Sequence, residues 1–276
     1  MIEKQYGIIG KPLSHSLSPV LHNFWFEKNN LKANYSLIEI EKEKIKDIIN
    51  KIRNKELHGI NVTVPYKQEI IPYLDLVIND AKETSSVNTI YLNNDNKIVG
   101  ENSDVYGFEQ SFISKLNNKD LVEQKFFIMG AGGVAPSLIY ALKKKNIKKI
   151  FISNRTLQKA EKIKKKFPFI KIILWEKIPQ EIEGMDIIIN ATSLGMKNSP
   201  DFKILIENLK SVSVYYDVVY NPLETKMLRN FKEKKIKTFN GLEMFLFQGQ
   251  KSFSLWNKII PIVDENLKEI IISNLK

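Results

Sequence analysis

The chain has 276 residues, 43% of them hydrophobic, which is material for about two domains with ample core. It contains no cysteine, which excludes disulfides, thiolate catalysis and cysteine zinc sites and is compatible with a reducing cytosol. No apolar run approaches the roughly 18 residues of a membrane span, and the start lacks the apolar core of a signal peptide. We therefore expect a soluble, cytoplasmic protein without a membrane partner.

The net charge of +11 raises the question of nucleic acid binding. Lysine runs at 143–145, 164–166 and 232–235 lie near the ends of predicted helices, where cations suit the helix dipole. Aromatic residues, which a single-strand stacking surface would use, are not interleaved with them. Solvated helix faces and no nucleic acid partner are expected, although the surplus would attract anionic small molecules.

The first part of the chain alternates strand and helix patterns. Strands are predicted at 6–10, 35–40 and 57–64, helices at 19–29 and 41–53, and a hairpin at 87–92 and 98–102. The pattern indicates an α/β layer with at least one antiparallel pair. Asp104 is predicted to cap a connecting helix at 105–116.

A second α/β pattern begins at residue 125 with KFFIMGAGGVAPSLIY. An apolar run at 126–129 predicts a buried strand, and helical spacing follows Gly133. The glycines match the dinucleotide fingerprint G-x-G-x-x-A: Gly130 would make the turn, Gly132 would let the backbone approach a pyrophosphate, and Ala135 would pack helix on strand. A structural turn without a ligand is the alternative.

The residues after the next strand, predicted at 149–153, indicate the cofactor. An NAD site favours an acidic residue here for the ribose hydroxyl, but this chain has Asn154, Arg155 and Thr156. A guanidinium suits a 2′-phosphate, so NADP is predicted rather than NAD.

The rest of the chain continues the second pattern and ends in a helical tail. The further predictions are helices at 157–167 and 224–234, strands at 170–174, 186–190, 212–219 and 237–239, and a tail at 241–276 interrupted at Pro261. The expected fold class is α/β, with a mostly parallel N-terminal substrate domain (1–104), a Rossmann-type NADP domain (105–240), and C-terminal helices (241–276) packing back on the first domain.

Several polar residues of the first part follow predicted strands. Ser14 and Ser16 could donate to a carboxylate, although Ser16 or Ser18 could instead cap the helix at 19–29. Alternation places Asn61 and Thr63 on one strand face.

Lys67 follows the same strand, and its ammonium could protonate a carbonyl oxygen as hydride arrives at carbon. A solvated lysine is the alternative. Asp104 could orient Lys67, cap its helix, or do both. The histidines show no metal-ligand spacing, so no metal is expected.

Motifs along the chain resemble the shikimate dehydrogenase family in order and spacing, from residue 6 to about 256. They are GKPLSHSLSP, NVTVPYK, SSVNT, GENSDVYG, GAGGVA, NRT, NATSLGM, DVVYNP and NGLEMFLFQGQKSF. The resemblance implies NADP-dependent, reversible reduction of 3-dehydroshikimate to shikimate, on the route to aromatic amino acids, with substrate held between the two domains.

The same resemblance implies roles for individual residues. Lys67 would be the general acid/base, paired with Asp104. The implied substrate contacts are Ser14, Ser16, Thr63, Lys67, Asn88, Asp104, Tyr220 and Gln248. The implied cofactor contacts are Gly130, Ala131, Gly132, Gly133 and Val134 at the pyrophosphate, Asn154, Arg155, Thr156 and Lys159 at the 2′-phosphate, and Thr192, Val218 and Gly241 at the nicotinamide.

Four departures from the family pattern bear on cofactor affinity and loop geometry rather than on the reaction. Residues 84–87 replace a glycine-containing IGAx, Ser103 replaces a threonine, Glu243 stands where GLGM is commoner, and Asn79 stands where some members have Glu.

Two other functions remain open. One is a quinate/shikimate dehydrogenase of broader cofactor use, against which Thr156 argues. The other is a shikimate- and NADP-sensing homologue without turnover, against which Lys67 and Asp104 argue. A monomer or a homodimer is expected.

Overall fold

The computed structural model describes residues 3–116, 121–196, 199, 209 and 211–275. The chain divides into two compact units, the first formed by Met1–Gly107 with Leu246–Lys276 and the second by Phe108–Phe245. Compared with the predicted domain limits, residues 105–107 fall in the first unit and 241–245 in the second.

The first unit contains a sheet of six described strands in the order β2-β1-β3-β5-β6-β4. β1 pairs in parallel with β2 and β3, whereas β5 is antiparallel to both β3 and β6. The strands are β1 (Lys4–Gly10), β2 (Ala33–Glu39), β3 (Gly59–Val62), β4 (Leu76–Val77), β5 (Thr89–Leu92) and β6 (Ile98–Glu101).

Helices complete the first unit. Four isoleucines of one helix, spaced on a single face, pack on the sheet and form the centre of an apolar core. The helices, with two that extend past the unit's limits, are α1 (Ser18–Lys28), α2 (Ile45–Arg53), α3 (Asn79–Thr84), α4 (Asp104–Ser111), α9 (Leu242–Asn257) and α10 (Glu265–Ser273).

The C-terminal segment is held on the first unit by buried aromatic contacts and hydrogen bonds. Trp256 of α9 donates its indole N–H to the carbonyl of Ile90 at 3.2 Å, and Trp25 of α1 donates to the carbonyl of Ile262 at 2.9 Å. Gly59 is required beneath this helix, because a Cβ there would lie 2.5 Å from the Trp256 Nε1.

The second unit is a parallel sheet of six described strands in the order β12-β11-β10-β7-β8-β9. This is the strand order of a doubly wound dinucleotide-binding fold, which reverses between β7 and β10. The strands are β7 (Phe126–Met129), β8 (Ile150–Ser153), β9 (Lys171–Ile172), β10 (Ile187–Asn190), β11 (Val214–Asp217) and β12 (Lys237–Phe239), and the helices are α5 (Ala135–Lys144), α6 (Leu157–Lys166), α7 (Ile178–Glu181) and α8 (Lys226–Glu233).

The predicted α/β class, with one antiparallel hairpin in the first sheet, is confirmed, and the differences lie at element ends. The helix predicted at 105–116 is α4 followed by a 3-10 turn at Ile113–Lys115, and the strand predicted at 170–174 is the short edge strand β9. Helices α3 and α7 and strand β4 were not predicted, because they are too short to show a period. No helix in the described ranges is long and apolar enough to cross a membrane.

Candidate active site

The topology of the first sheet gathers the candidate substrate residues at one edge. β1, β3 and β6 run in the same direction, so their carboxyl ends meet there, and the antiparallel β5 starts there. Ser14 and Ser16 follow β1, Thr63 and Lys67 follow β3, Asn88 precedes β5, and Asp104 follows β6. Residues far apart in sequence are thereby placed in one region of the first unit.

Lys67 and Asp104 form an ion pair at this edge, with 2.6 Å between Nζ and Oδ2. Their side chains are only 13% and 8% exposed, so the pair is largely withdrawn from water. Solvent screens such a pair weakly, and a charge-assisted hydrogen bond of this length fixes the ammonium in place. The predicted interaction between the two residues is present.

The prediction that Asp104 caps the connecting helix is wrong. Asp104 is the first residue of α4, and the cap is Asn102, whose Oδ1 accepts the backbone N–H of Asp104 at 2.9 Å. Because Asn102 satisfies this helix end, the Asp104 carboxylate is available to Lys67 and Asn88. The signal for Asn102 is its position two residues before the helix, which favours an Asx-type cap.

Asn88 holds the other oxygen of Asp104, donating from Nδ2 to Oδ1 at 2.8 Å. Its own carbonyl oxygen accepts the backbone N–H of Ser103 at 2.7 Å and the Ser103 hydroxyl at 3.1 Å. These bonds fix which way the amide faces, with Nδ2 toward Asp104 and Oδ1 toward Ser103. Gln248 belongs to the same cluster, with its Oε1 3.5 Å from the Ser103 hydroxyl.

The two serines after β1 lie at the surface edge of the unit. Ser14 is exposed and Ser16 is half-buried, with 3.2 Å between the hydroxyls of Ser16 and Ser18. Ser18 is the first residue of α1 rather than its cap, whereas the Ser16 hydroxyl oxygen accepts the Ser18 backbone N–H at 3.4 Å and so bonds to the start of the helix. Ser16 therefore takes part in the start of α1, and both serines remain candidates for a substrate carboxylate.

Asn61 was placed on the same strand face as Thr63, but it is a buried structural residue. Its Oδ1 accepts the Tyr35 hydroxyl at 2.8 Å and its Nδ2 donates to the Ser252 hydroxyl on α9 at 2.9 Å. Thr63, beyond the end of β3, is only partly buried. Asn61 therefore ties α9 to the sheet, whereas Thr63 remains a candidate substrate contact.

In the second unit the glycine turn lies where the strand order reverses. Gly130 has a φ of +107°, and a Cβ there would lie 2.8 Å from the Ala191 carbonyl oxygen. Only glycine adopts this conformation readily, so the fold itself requires Gly130. Beyond it, Ala131, Gly133 and Val134 lead into α5.

Gly132 has no such structural reason, because an added Cβ would meet nothing within 4 Å. The residue is exposed, and α5 starts with Val134 as N-cap and no side-chain cap bond. A bare backbone before an uncapped helix N-terminus suits a phosphate, which accepts N–H hydrogen bonds and is favoured by the dipole. The residues here fit the dinucleotide that the fingerprint predicts.

The loop after β8 presents the predicted 2′-phosphate residues. Asn154 accepts the Ala131 N–H at 3.0 Å and donates to the Thr156 carbonyl at 2.9 Å, so it links the glycine turn to this loop. Arg155, Thr156 and Lys159 are exposed beside it. Asn154 thus has a structural role, and Arg155 and Lys159 remain the cationic candidates for a phosphate.

The carboxyl ends of β10, β11 and β12 hold the predicted nicotinamide residues. Thr192 donates its hydroxyl to Asn190 Oδ1 at 2.6 Å. Gly241 is required next to Val218, since a Cβ would lie 1.9 Å from the Val218 carbonyl oxygen. Tyr220, from the same unit, stacks on Phe245 with 4.7 Å between ring centroids.

The structure shows the local surroundings of three of the four departures. Ser85, in the place of the family's glycine, has a φ of +49°. Asn79 also has a positive φ, of 51°, and donates to Glu101. Glu243 forms an ion pair with Lys115, which neutralises its charge.

In the second unit, two buried polar residues of the quoted motifs have no role in the resemblance. They are Asn190 in NATSLGM and Asp217 in DVVYNP, each the last residue of an otherwise apolar strand. Within the described ranges, no group of three or more His, Asp or Glu side chains could hold a metal ion.

The second unit is a dinucleotide-binding fold, and the first carries a buried lysine–aspartate pair suited to proton transfer. A chain that combines them is of the class of dinucleotide-dependent dehydrogenases. Residues 8–90 match the model of the shikimate dehydrogenase substrate binding domain, and residues 113–199 match that of shikimate / quinate 5-dehydrogenase.

Individual relatives agree over nearly the whole chain. The chain is 44% identical to shikimate dehydrogenase (NADP(+)) of Pelagibacter ubique, over 95% of this chain and 97% of the relative. A solved shikimate dehydrogenase in complex with NADP+ has a TM-score of 0.89 at 33% identity, covering 99% of this chain and 96% of that one. The shikimate 5-dehydrogenase of Listeria monocytogenes, solved with shikimate and NAD, has a TM-score of 0.86 at 32% identity, covering 98% and 96%. The chain belongs to the shikimate dehydrogenase family.

Proposed function

We propose that this protein catalyses the NADPH-dependent, reversible reduction of 3-dehydroshikimate to shikimate. The observation that carries the proposal is the Lys67–Asp104 ion pair, largely buried at the carboxyl edge of the first sheet. A ketone reduced by hydride needs a proton for its oxygen, and an ammonium held by a carboxylate can supply one. Family membership favours this substrate.

On the substrate side, the residues divide into contacts to the carboxylate and contacts to the ring oxygens. Ser14 and Ser16 donate hydrogen bonds to the substrate carboxylate. Asn88 donates from Nδ2 to a ring oxygen, and the remaining contacts are those of Thr63, Asp104, Tyr220 and Gln248. Fixing the substrate in one pose converts an encounter into an intramolecular step.

Lys67 is the proton donor of the reduction. As the ketone carbon accepts hydride, the Lys67 ammonium transfers a proton to the ketone oxygen, which becomes the hydroxyl of shikimate. In the reverse direction the neutral amine takes that proton back. Asp104 orients the ammonium and stabilises its charged form before transfer.

The second unit would hold NADP. When bound, the cofactor supplies or accepts the hydride. Residues 130–134 would bind the pyrophosphate with backbone N–H groups, Asn154 would brace the loop that carries Arg155, Thr156 and Lys159, and Thr192, Val218 and Gly241 would face the nicotinamide. Arg155 fits the 2′-phosphate because a guanidinium pairs with phosphate and cannot accept a ribose hydroxyl.

The test is a steady-state assay of the purified protein. We expect shikimate-dependent NADP reduction and dehydroshikimate-dependent NADPH consumption, with a lower kcat/KM for quinate with NAD. Comparable values for quinate and NAD would establish the broader enzyme, and ligand binding without turnover would establish a sensing homologue. We also expect a cytoplasmic monomer or homodimer that binds no nucleic acid, and gel filtration would report the subunit number.

A further inference from the structure

Asp217 is a fully buried carboxylate at the end of β11, and its hydrogen-bond donors among the described residues are all neutral. Burial raises the pKa of Asp217, which the four hydrogen bonds to it oppose. An aspartate is rarely buried to this degree without a cation, because its desolvation is unfavourable. The hydrogen bonds of Asp217 therefore indicate which parts of the second unit it stabilises.

Its two oxygens serve different parts of the second unit. Oδ2 accepts the hydroxyls of Thr225 at 2.7 Å and Tyr215 at 3.2 Å, and Thr225 caps α8. Oδ1 accepts the Asn190 side-chain N–H and the Val219 backbone N–H, both at 3.0 Å. The Thr225 bond stabilises the start of α8 and the Tyr215 bond stays within β11, whereas the Oδ1 bonds reach the end of β10 and the loop after β11.

The negative charge of Asp217 decides which way the Asn190 amide faces. Nδ2 must face the carboxylate, and it also donates to the Leu194 carbonyl at 3.1 Å. Oδ1 of Asn190 therefore faces Thr192, accepting its backbone N–H at 3.1 Å and its hydroxyl at 2.6 Å. The Thr192 hydroxyl donates to Asn190 and accepts the Leu194 N–H at 3.0 Å, so it meets a ligand as an acceptor through its second lone pair.

The second bond from Oδ1 fixes the neighbouring loop. The Val219 N–H is held by Asp217, and the Val219 carbonyl accepts the Gly241 N–H at 3.0 Å. One carboxylate oxygen of Asp217 is thus connected, through Asn190 and Val219, to the residues that are predicted to face the nicotinamide, namely Thr192, Val218 and Gly241.

We propose that Asp217 and Asn190 form a positioning pair that sets the nicotinamide end of the cofactor site and leaves its adenosine end unaffected. The inference rests on the proposed function, because the roles of Thr192, Val218 and Gly241 come from it. Neither residue of the pair is expected to touch the cofactor.

The experiment compares two ligands in the full-length protein: NADPH, and adenosine 2′,5′-bisphosphate, which lacks the nicotinamide half. Asn190→Asp places a second carboxylate against Asp217. This variant should lower the affinity for NADPH about tenfold, because it disrupts hydrogen bonds to a charged group. The affinity for the bisphosphate should change less than about twofold. Exchanging the charge with Asn190→Asp plus Asp217→Asn should recover most of the NADPH affinity.

Thr225→Val is the matched control. It removes an Oδ2 bond and the α8 cap but leaves both Oδ1 bonds, so it should lower thermal stability while changing both ligands' affinities equally. If Asn190→Asp does not fold, Asp217→Asn gives the same comparison with a smaller selective loss of about threefold, since only the charge that orients Asn190 is removed.

The outcomes separate this inference from the proposed function. Wild-type protein that binds neither ligand would overturn the NADP site itself. Wild-type protein that binds both, with variants that weaken both equally or neither, would overturn the positioning pair while leaving the NADP site intact.

Discussion

Arg155 stands exposed in the loop after β8, braced by the bonds of Asn154 to the glycine turn and to Thr156. Arg155→Ala should lower kcat/KM for NADPH by about 10- to 100-fold, the effect of losing charged hydrogen bonds to a phosphate, with a much smaller change for NADH. Parallel steady-state assays with NADPH and NADH measure the two kcat/KM values.

Arg229→Ala is the control for charge alone, because Arg229 is another exposed arginine of the second unit, paired with Glu224. It should leave the ratio of the two kcat/KM values unchanged. If Arg155→Ala also left the ratio of kcat/KM for NADPH to kcat/KM for NADH unchanged, Arg155 would not be the residue that recognises the phosphate.

At the residue scale, the sequence patterns predicted which polar side chains lie at strand ends, but they did not predict the structural role of each one. Lys67 and Asp104 stood out because each follows a predicted strand. Asn102 and Asp104 are both suitable caps two residues apart, and only the hydrogen bonds show that Asn102 is the cap. Asp217, Asn190 and Thr225 meet through folding across 35 residues of sequence, which no local pattern reports.

Helix α3 ends at an exposed Ser85 in the left-handed conformation, with φ 49° and ψ 43°. This conformation disfavours a residue with a Cβ, and glycine's larger unfolded-state entropy offsets only part of the difference. Ser85→Gly should therefore raise the free energy of unfolding by about 0.5–1 kcal/mol. The midpoint of urea unfolding, followed by tryptophan fluorescence, measures the change.

Ser85→Ala separates the backbone effect from the hydroxyl. It keeps the Cβ, so it should give no gain in stability, and an equal gain in both variants would contradict the conformational explanation.

At the element scale, long periodic segments were predictable and short ones were not. The isoleucines of α2 recur at helical spacing and all lie in the core, as predicted. Helix α3 spans only six residues, 79–84, so it is too short to show a helical period, and the left-handed residues at its two ends are Asn79 and Ser85 rather than Gly.

At the scale of the whole molecule, one buried histidine in the core of the first unit makes the free energy of unfolding depend on pH. His22 is fully buried, stacked on Tyr35 with 4.4 Å between ring centroids, and neither ring nitrogen has a hydrogen-bond partner among the residues that the structure describes. Desolvation lowers the pKa of His22 from 6.5 to about 3. Between these values the unfolded chain binds a proton that the folded protein does not, so stability falls as pH falls.

Below about pH 6.5 this residue should cost about 1.4 kcal/mol of stability per pH unit. His22→Phe removes the proton site and the unpaired nitrogens, so its unfolding free energy should fall less between about pH 7 and about pH 4.5 than that of the wild type. Urea unfolding at the two pH values measures the slope. His15→Phe, at an exposed position, should retain the wild-type slope, and equal slopes for His22→Phe and the wild type would contradict the assignment.

The overall plan was predictable because each sheet has its own pattern: mostly short apolar strands alternating with helices, and a glycine turn in the second. The sequence did not predict the contacts between segments that are far apart in the chain. The contacts of Trp25 with Ile262 and of Trp256 with Ile90 join segments 237 and 166 residues apart, and His22 is buried by aromatic residues from both ends of the chain.

The central claim is that Lys67 transfers the proton, and the kinetics of Lys67→Ala test it most directly. With Lys42→Ala as control, an exposed lysine of the same unit paired with Glu69, kcat and KM for shikimate would be measured at saturating NADP. We predict that Lys67→Ala lowers kcat by about 10²- to 10⁴-fold with a much smaller change in KM, while Lys42→Ala changes neither. A Lys67→Ala variant with near wild-type kcat would contradict the account.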